Sequence, residues 1–316
     1  MKKRTSGYLF ILLTTIIFST MEVMLRYTRG LFAPMQITYL RFLIGGIALI
    51  PFAAASLKKH GARLRARDLA YFALTGFMCV SFSMVMYQMA ILYTSASFVA
   101  VAFSANPVFV TILAALLLKE EIRPNHVIAL FVEVIAILII VAPWKNAVDP
   151  KGAVLTVAAS LAFALYMVTG KKKTPVFGGI VVTCASIILG SLELLLILLI
   201  GHTAAGSAFF RDLGLTIFAD VPLFPAMPGK AILPFLYICL INSGAGYVCH
   251  MLSLEKTSAN ETNLVYFLKP ILSPIIAYFF LKEVITANMW LGIVLFLIGS
   301  AIAVLPGFIA QMKKKA

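Results

Sequence analysis

Charge is what this chain has least of, since Asp, Glu, Lys and Arg together make up 12% of its 316 residues. A soluble domain carries about 25%, so an ordinary water-facing surface is excluded. Cysteine is scarce as well. The four residues, Cys79, Cys184, Cys239 and Cys249, sit in apolar runs with no short spacing, which excludes a disulfide framework or a cysteine metal site. HExxH, GxSxG, a Walker loop and any His/Asp cluster are all missing, and the chain is not read as an enzyme. An intramembrane enzyme acting on a lipid-linked substrate stays as a remote alternative. No cofactor or metal is expected. No small-residue cleavage site follows the first apolar run, so residues 7–26 read as a spanning helix and not as a signal peptide.

What remains is apolar: 62% hydrophobic residues and a mean hydropathy of +1.01. Ten runs of about 20 residues recur, at about 7–26, 34–56, 69–91, 95–118, 125–143, 152–170, 177–201, 231–252, 260–281 and 287–307. Each is long enough to cross a bilayer core of about 30 Å as a helix. The expectation is an all-α membrane protein with ten transmembrane helices in a single transmembrane domain, residues 1–316. The net charge of +14 comes from Lys and Arg in the short connections, which points to membrane orientation and not to nucleic acid. With N and C termini cytoplasmic, 17 of the 26 Lys and Arg fall on that side and seven opposite. The positive-inside rule therefore predicts both termini inside.

The chain also resembles itself. "TSASFVAVAFSANPVFVTILAALLLKEEI" from Thr94 aligns without gaps on "TSANETNLVYFLKPILSPIIAYFFLKEVI" from Thr257, at a constant offset of 163. Extended to Pro143 against Pro306, 15 of 50 positions are identical, including Thr-Ser-Ala, Pro107/Pro270 and Leu-Lys-Glu at 118–120 and 281–283. Ahead of these, Gly7/Gly152 and Phe18/Phe163 match weakly. Two five-helix repeats follow, about 7–144 and about 152–307, and an odd helix number inverts the second relative to the first. Inverted repeats are typical of secondary transporters, in which two halves rock about a site near the midplane.

Together with "LRF" at 40–42, the segments "YTSAS…NPVF…LLLKEE" and "KTSAN…LKPILSP…FLKE" resemble the drug/metabolite transporter superfamily, specifically its EamA-type ten-helix exporters. The resemblance covers essentially the whole chain. It implies a basket in which helices 1–4 and 6–9 surround a central cavity and helices 5 and 10 lie outside. It also implies export of amino acids, related metabolites or toxic compounds, often against protons. Many relatives have an acidic residue before the helix-9 proline, where this chain has Lys269; basic residues nearby occur in nucleotide-sugar and sugar-phosphate branches, which favours an anionic moiety on the cargo.

The polar residues in the membrane are the candidates for the site. Lys269, near the midplane of helix 9, costs roughly 2.5–3.5 kcal/mol to insert and so requires a partner or a task. Two readings stand: a hold on a substrate carboxylate or phosphate, or a permanent ion pair with an intramembrane glutamate. Glu22 is the proton-coupling candidate, against an ordinary i,i+4 pair with Arg26. Glu193 is a second proton site. Arg41 could clamp a carboxylate two ways or tie helix 2 to Glu22. Glu133, on a peripheral helix, suggests a lateral contact or dimer interface. His250 titrates in a useful range, yet a lone apolar-face histidine more often just finds a hydrogen-bond partner. Tyr39, Tyr87, Tyr166, Tyr247 and Tyr266 are expected along an amphipathic cavity, with core packing as the plainer reading. Pro107 and Pro270 kink helices 4 and 9, freeing the carbonyls of Phe103 and Tyr266. Asn106 corresponds to Lys269 in the repeat, and the two are expected to face each other. Between helices 7 and 8, Phe209, Phe210, Leu213, Ile217 and Phe218 suggest a short interfacial helix.

The reading is a multi-pass exporter of the inner membrane, working by alternating access and either proton-coupled or an exchanger. Its cargo is expected to be amino acids or similar zwitterions. The alternative is an exporter of cationic or lipophilic drugs, with Lys269 a fixed counter-ion. Its partners are a small-molecule substrate, protons and membrane lipids, and it is expected as a monomer or homodimer.

Overall fold

A computed structural model describes residues 2–28, 30–94, 96–104, 106–122, 124–141, 149–224, 229–282, 285 and 287–313. Glu283 and Pro143 of the repeat alignment lie outside them. Among the described residues the fold is all helical, and seven helices are long and apolar enough to cross a membrane. In chain order the apolar helices are α1 (Thr5–Tyr27), α2 (Pro34–His60), α3 (Ala66–Tyr93), α4 (Asn106–Leu118), α5 (Pro124–Val141), α6 (Pro150–Phe177), α7 (Gly179–Gly201), α8 (Ala231–Lys256), α9 (Leu264–Leu281) and α10 (Ala287–Lys313). Apolar stretches of α4, α5 and α10 are shorter, 10–17 residues.

Local sequence explains where these helices start and stop. Pro34 opens α2 with its φ already helical, while Gln36 accepts from Ala33 N at 3.2 Å. Gly61, at φ 60°, closes it as Ala62 N reaches back to Leu57 O. At the ends of α4 and α9, Lys119 and Lys282 take the same left-handed turn, φ 57° and 56°. For a non-glycine residue that turn costs roughly 1–2 kcal/mol.

Small residues let the central helices touch backbone to backbone. A Cβ on Gly76 of α3 would lie 2.3 Å from Ser186 O of α7, and one on Gly190 2.3 Å from Gly76 O. A Cβ on Gly45 of α2 would lie 2.6 Å from Cys239 O of α8. Gly7 meets Thr257 and Gly152 meets Thr94, each as closely. Both α3 and α8 widen into π-helix, at Phe77–Met84 and Tyr237–Gly246. Such bulges mark functional stretches of helices. Outside this bundle α5 packs along α10.

Glu133 is fully buried there against Gly299 of α10, its carboxylate without a hydrogen-bond partner among the described residues. It therefore makes a lateral contact with α10, one of the two roles expected for it. The connection after α7 forms Ala204–Asp212 and a 3-10 turn at Thr216–Phe218, as its aromatic residues led one to expect.

Candidate functional site

Helix α1 is interrupted at Thr20, two residues before Glu22. Neighbouring helices donate to carbonyls on either side of that break. Asn242, in the π segment of α8, donates to Ile17 O at 2.7 Å and to Thr20 Oγ1 at 3.0 Å, while Ser273 of α9 donates to Ser19 O at 3.3 Å. Saturating these acceptors matters because no water is at hand in the bilayer. The following turn, Met21–Tyr27, carries Glu22 into the bundle.

There Lys269 Nζ forms an ion pair with Glu22 Oε1, and the Tyr87 hydroxyl donates to the same oxygen. Both ionic side chains are almost wholly buried, at 1% and 3% exposure. Glu22 Oε2 has no hydrogen-bond partner among the described residues. The ammonium also lies over the rings of Phe103 and Tyr87, 5.6 and 5.9 Å from their centroids. Lys269 thus has the intramembrane glutamate partner that one of its two readings expected.

Arg41 of α2 is the contrasting cation. It is fully buried, none of its three guanidinium nitrogens has a hydrogen-bond partner among the described residues, and its Cζ lies 4.5 Å from the Phe42 ring centroid. Tyr87, Tyr247, Cys79 and Cys239 are its electrostatic neighbours. A guanidinium in this setting can fork two hydrogen bonds onto a carboxylate or phosphate. It does not tie α2 to Glu22.

Aromatic residues close the space around these charges. Tyr247 packs edge-on against Phe18, Phe42 and Phe163, and its hydroxyl points at Met84 Sδ, 3.1 Å away. His250 sits among Phe18, Phe163 and Tyr266, with its Nε2 3.4 Å from the Tyr266 hydroxyl. Tyr166 is buried against Phe163, with Thr183 beside its hydroxyl. Glu22, Lys269 and Arg41 are all almost wholly buried.

A family model described as the EamA-like transporter family matches residues 5–142 and again 150–305. This chain belongs to the EamA-like transporter family. An uncharacterized transporter of Clostridium kluyveri is 35% identical over 304 residues, covering 94% of this chain and 92% of that protein. One of Archaeoglobus fulgidus is 24% identical over 280 residues, covering 89% and 92%. A crystal structure of a protein of 17% identity superposes with a TM-score of 0.71, covering 96% of this chain and 98% of the other, which speaks for the fold alone. The EamA-like chain is thus a multi-pass transporter of the cell membrane, with a small-molecule substrate and a lipid environment.

Other expected site residues of this transporter lie elsewhere. Asn106 is buried but bonds to α6, through Nδ2 to Ser160 O at 2.7 Å and to Ser160 Oγ at 3.3 Å. These bonds anchor it to α6. Ser160 in turn donates to Phe103 O, the carbonyl freed by Pro107, at 3.4 Å. The helix is broken there, between Ala96–Phe103 and Asn106–Leu118, whereas Pro270 lies inside an uninterrupted α9. Tyr39 donates to Leu223 O of the connection between α7 and α8. Glu193 accepts from Ser81 at 3.0 Å, between α7 and α3, and is no part of the Glu22 cluster.

Sequence reading missed Asn242, Ser160 and Ser273, whose roles depend on which carbonyl a neighbouring helix leaves open. It also missed Glu120 as a tie: Lys171 Nζ lies 2.8 Å from its carboxylate, and Ala259 N donates to it at 3.3 Å. Glu120 thereby joins the end of α4 to α6 and to the approach to α9.

Proposed function

We propose that this transporter exports amino acids or related zwitterions by alternating access, with Glu22 as the proton-coupling group. The fully buried Arg41, with no hydrogen-bond partner among the described residues and with Tyr87, which donates to Glu22, as an electrostatic neighbour, carries the reading. Glu22, Lys269 and Arg41 sum to one positive charge, and a zwitterion leaves that sum unchanged while offering Arg41 a carboxylate and Glu22 an ammonium. The cargo's carboxylate engages the Arg41 fork, and its ammonium competes with Lys269 for Glu22. A proton arriving on Glu22 from the outer side discharges that carboxylate, weakens its hold on the ammonium and lets the cargo leave. Tyr87, donating to Glu22, orients it in both states.

The frame for this cycle is ten transmembrane helices as two inverted repeats, with both termini cytoplasmic. Support comes from paired features: the left-handed Lys119 and Lys282, the contacts Gly7–Thr257 and Gly152–Thr94, and a π segment in each of α3 and α8. The family model also matches each half separately. Matched halves allow the central site to open in either direction.

A second reading, export of cationic lipophilic compounds, draws on the Lys269–Glu22 pair as a fixed counter-ion arrangement. It leaves Arg41 without a task. Purified protein in liposomes, given labelled amino acids under an imposed pH gradient, tests both. Expected is gradient-driven movement that Arg41→Met abolishes and Glu22→Gln uncouples from pH. The reading fails if no amino acid moves, or if Glu22→Gln and Lys269→Ala both leave transport intact.

A further inference from the structure

A second charged feature lies far from the central site, at the junction of α2, α3 and α6. A groove of about 860 Å³ opens there between the Ala62–Arg67 connection, the first turns of α3 and the last turns of α6. Its rim carries Arg63, Arg65 and Arg67, all exposed. Lys173 adds a fourth cation, against the single carboxylate of Asp68. That carboxylate is already engaged, accepting from Lys173 Nζ at 3.0 Å and from Arg65 N at 3.2 Å. Arg63 and Arg67 have no ion-pair partner among the described residues. The groove is therefore a surplus of guanidinium groups, which favour phosphate by forked hydrogen bonding.

Its deeper wall has the opposite character. Leu74 and Val176 are each about half exposed, at 52% and 51%, and Phe177 and the Tyr71 ring complete the surface. Tyr71 is fixed by donating to Thr169 O at 2.7 Å, and Lys173 lies over its ring at 5.1 Å. From Ala66 to Leu74 the helix descends about 12 Å at 1.5 Å per residue, the distance from the headgroup layer to the upper acyl chains. α2, α3 and α6 are each long enough to span, so this cationic rim sits where a bilayer surface meets the protein. A soluble anion has no use for the aliphatic wall below it.

We infer that this groove is a binding site for an anionic glycerophospholipid, with the headgroup phosphate on Arg63 and Arg67 and an acyl chain along Leu74 and Val176. Bound there, the lipid bridges α2, α3 and α6 at one end of the bundle. It does so independently of which cargo the central site takes. Lysine and arginine clusters beside membrane helices are the general signature of such recognition.

The test uses full-length protein in neutral detergent, with added phosphatidylglycerol, phosphatidylcholine or soluble glycerol phosphate, reading Tm and, by native mass spectrometry, bound lipid. Expected is a higher Tm with phosphatidylglycerol than with phosphatidylcholine, no rise with glycerol phosphate, and loss of most of the phosphatidylglycerol increment in Arg63→Gln/Arg65→Gln/Arg67→Gln. If the triple variant does not fold, the single variants Arg63→Gln and Arg67→Gln each weaken phosphatidylglycerol retention by at least threefold. Equal effects of the two lipids, an equal rise with glycerol phosphate, or full retention in the variants would overturn the assignment. In the glycerol phosphate case the groove is a site for a free phosphate and not for a lipid.

Discussion

Lys269 and Glu22 come from opposite ends of the chain and meet as an ion pair sealed from solvent, the Tyr87 hydroxyl sharing the acceptor oxygen. Burying both charges is costly, and their mutual attraction repays that cost only while both are present. Removing one partner is therefore worse than removing both. Lys269→Met should destabilise the detergent-purified protein by about 3–5 kcal/mol, and Glu22→Gln/Lys269→Met should recover most of it. Thermal unfolding of the two single variants and the double variant checks this; a double variant no more stable than Lys269→Met would sink the idea of a compensated pair.

Arg41 should behave in the opposite way. Its guanidinium is fully buried and has no hydrogen-bond partner among the described residues, so Arg41→Met removes a desolvated charge. The variant should melt higher than the parent without substrate, and it should not transport amino acids. Arg41→Lys keeps the charge but loses the fork, and transport should fall at least about tenfold. Melting curves and liposome uptake, measured side by side, decide it.

At Gly76 the limit is steric. A methyl group there would lie 2.3 Å from Ser186 O and 2.6 Å from Gly190 N, and both are backbone atoms. Gly76→Ala should destabilise by about 1–3 kcal/mol, or force α3 and α7 apart. Unfolding temperature against that of Gly229→Ala, a position with nothing within 4 Å, separates steric from generic effects.

Lys119 offers a gain. It holds φ 57°, which glycine adopts without strain. Lys119→Gly should stabilise by up to about 1–2 kcal/mol, read as a rise in Tm. A fall would show that the lysine side chain outweighs its backbone strain.

In the connection between α7 and α8, the Ser207 hydroxyl and then Arg211 hold the Asp220 carboxyl below its usual range. A lowered folded-state pKa means that the stabilisation is present above the unfolded value of about 3.9 and is lost as pH falls through the folded one. Hydrogen-exchange protection across Ala204–Asp212, relative to the intrinsic rate at each pH, should fall under strong acid, below about pH 4. Asp220→Asn should show that lower protection already at pH 7. Unchanged protection in Asp220→Asn would remove the carboxylate from any role in ordering this loop.

Composition and run length were enough to read a helical membrane protein, because a bilayer demands long apolar helices wherever backbone crosses it. The Thr-Ser-Ala, proline and Leu-Lys-Glu repeats pointed to this family of transporters, since they recur at one offset in two segments. Lys269, Glu22 and Arg41 stood out for the same reason: charge inside apolar runs is rare, and each instance is legible by itself. What each charge meets was not legible. Arg26 lies one helical turn from Glu22, yet the partner in the ion pair is Lys269, from the other half of the chain. Asn106 corresponds to Lys269 by offset, yet a short reach to Ser160 holds it on α6. Sequence by itself determined the solvent, the helices and which residues had to be explained. Only the packing of α1 against α8 and α9 decided their partners, because a hydrogen bond acts over about 3 Å and helix crossing alone sets which groups come within that distance.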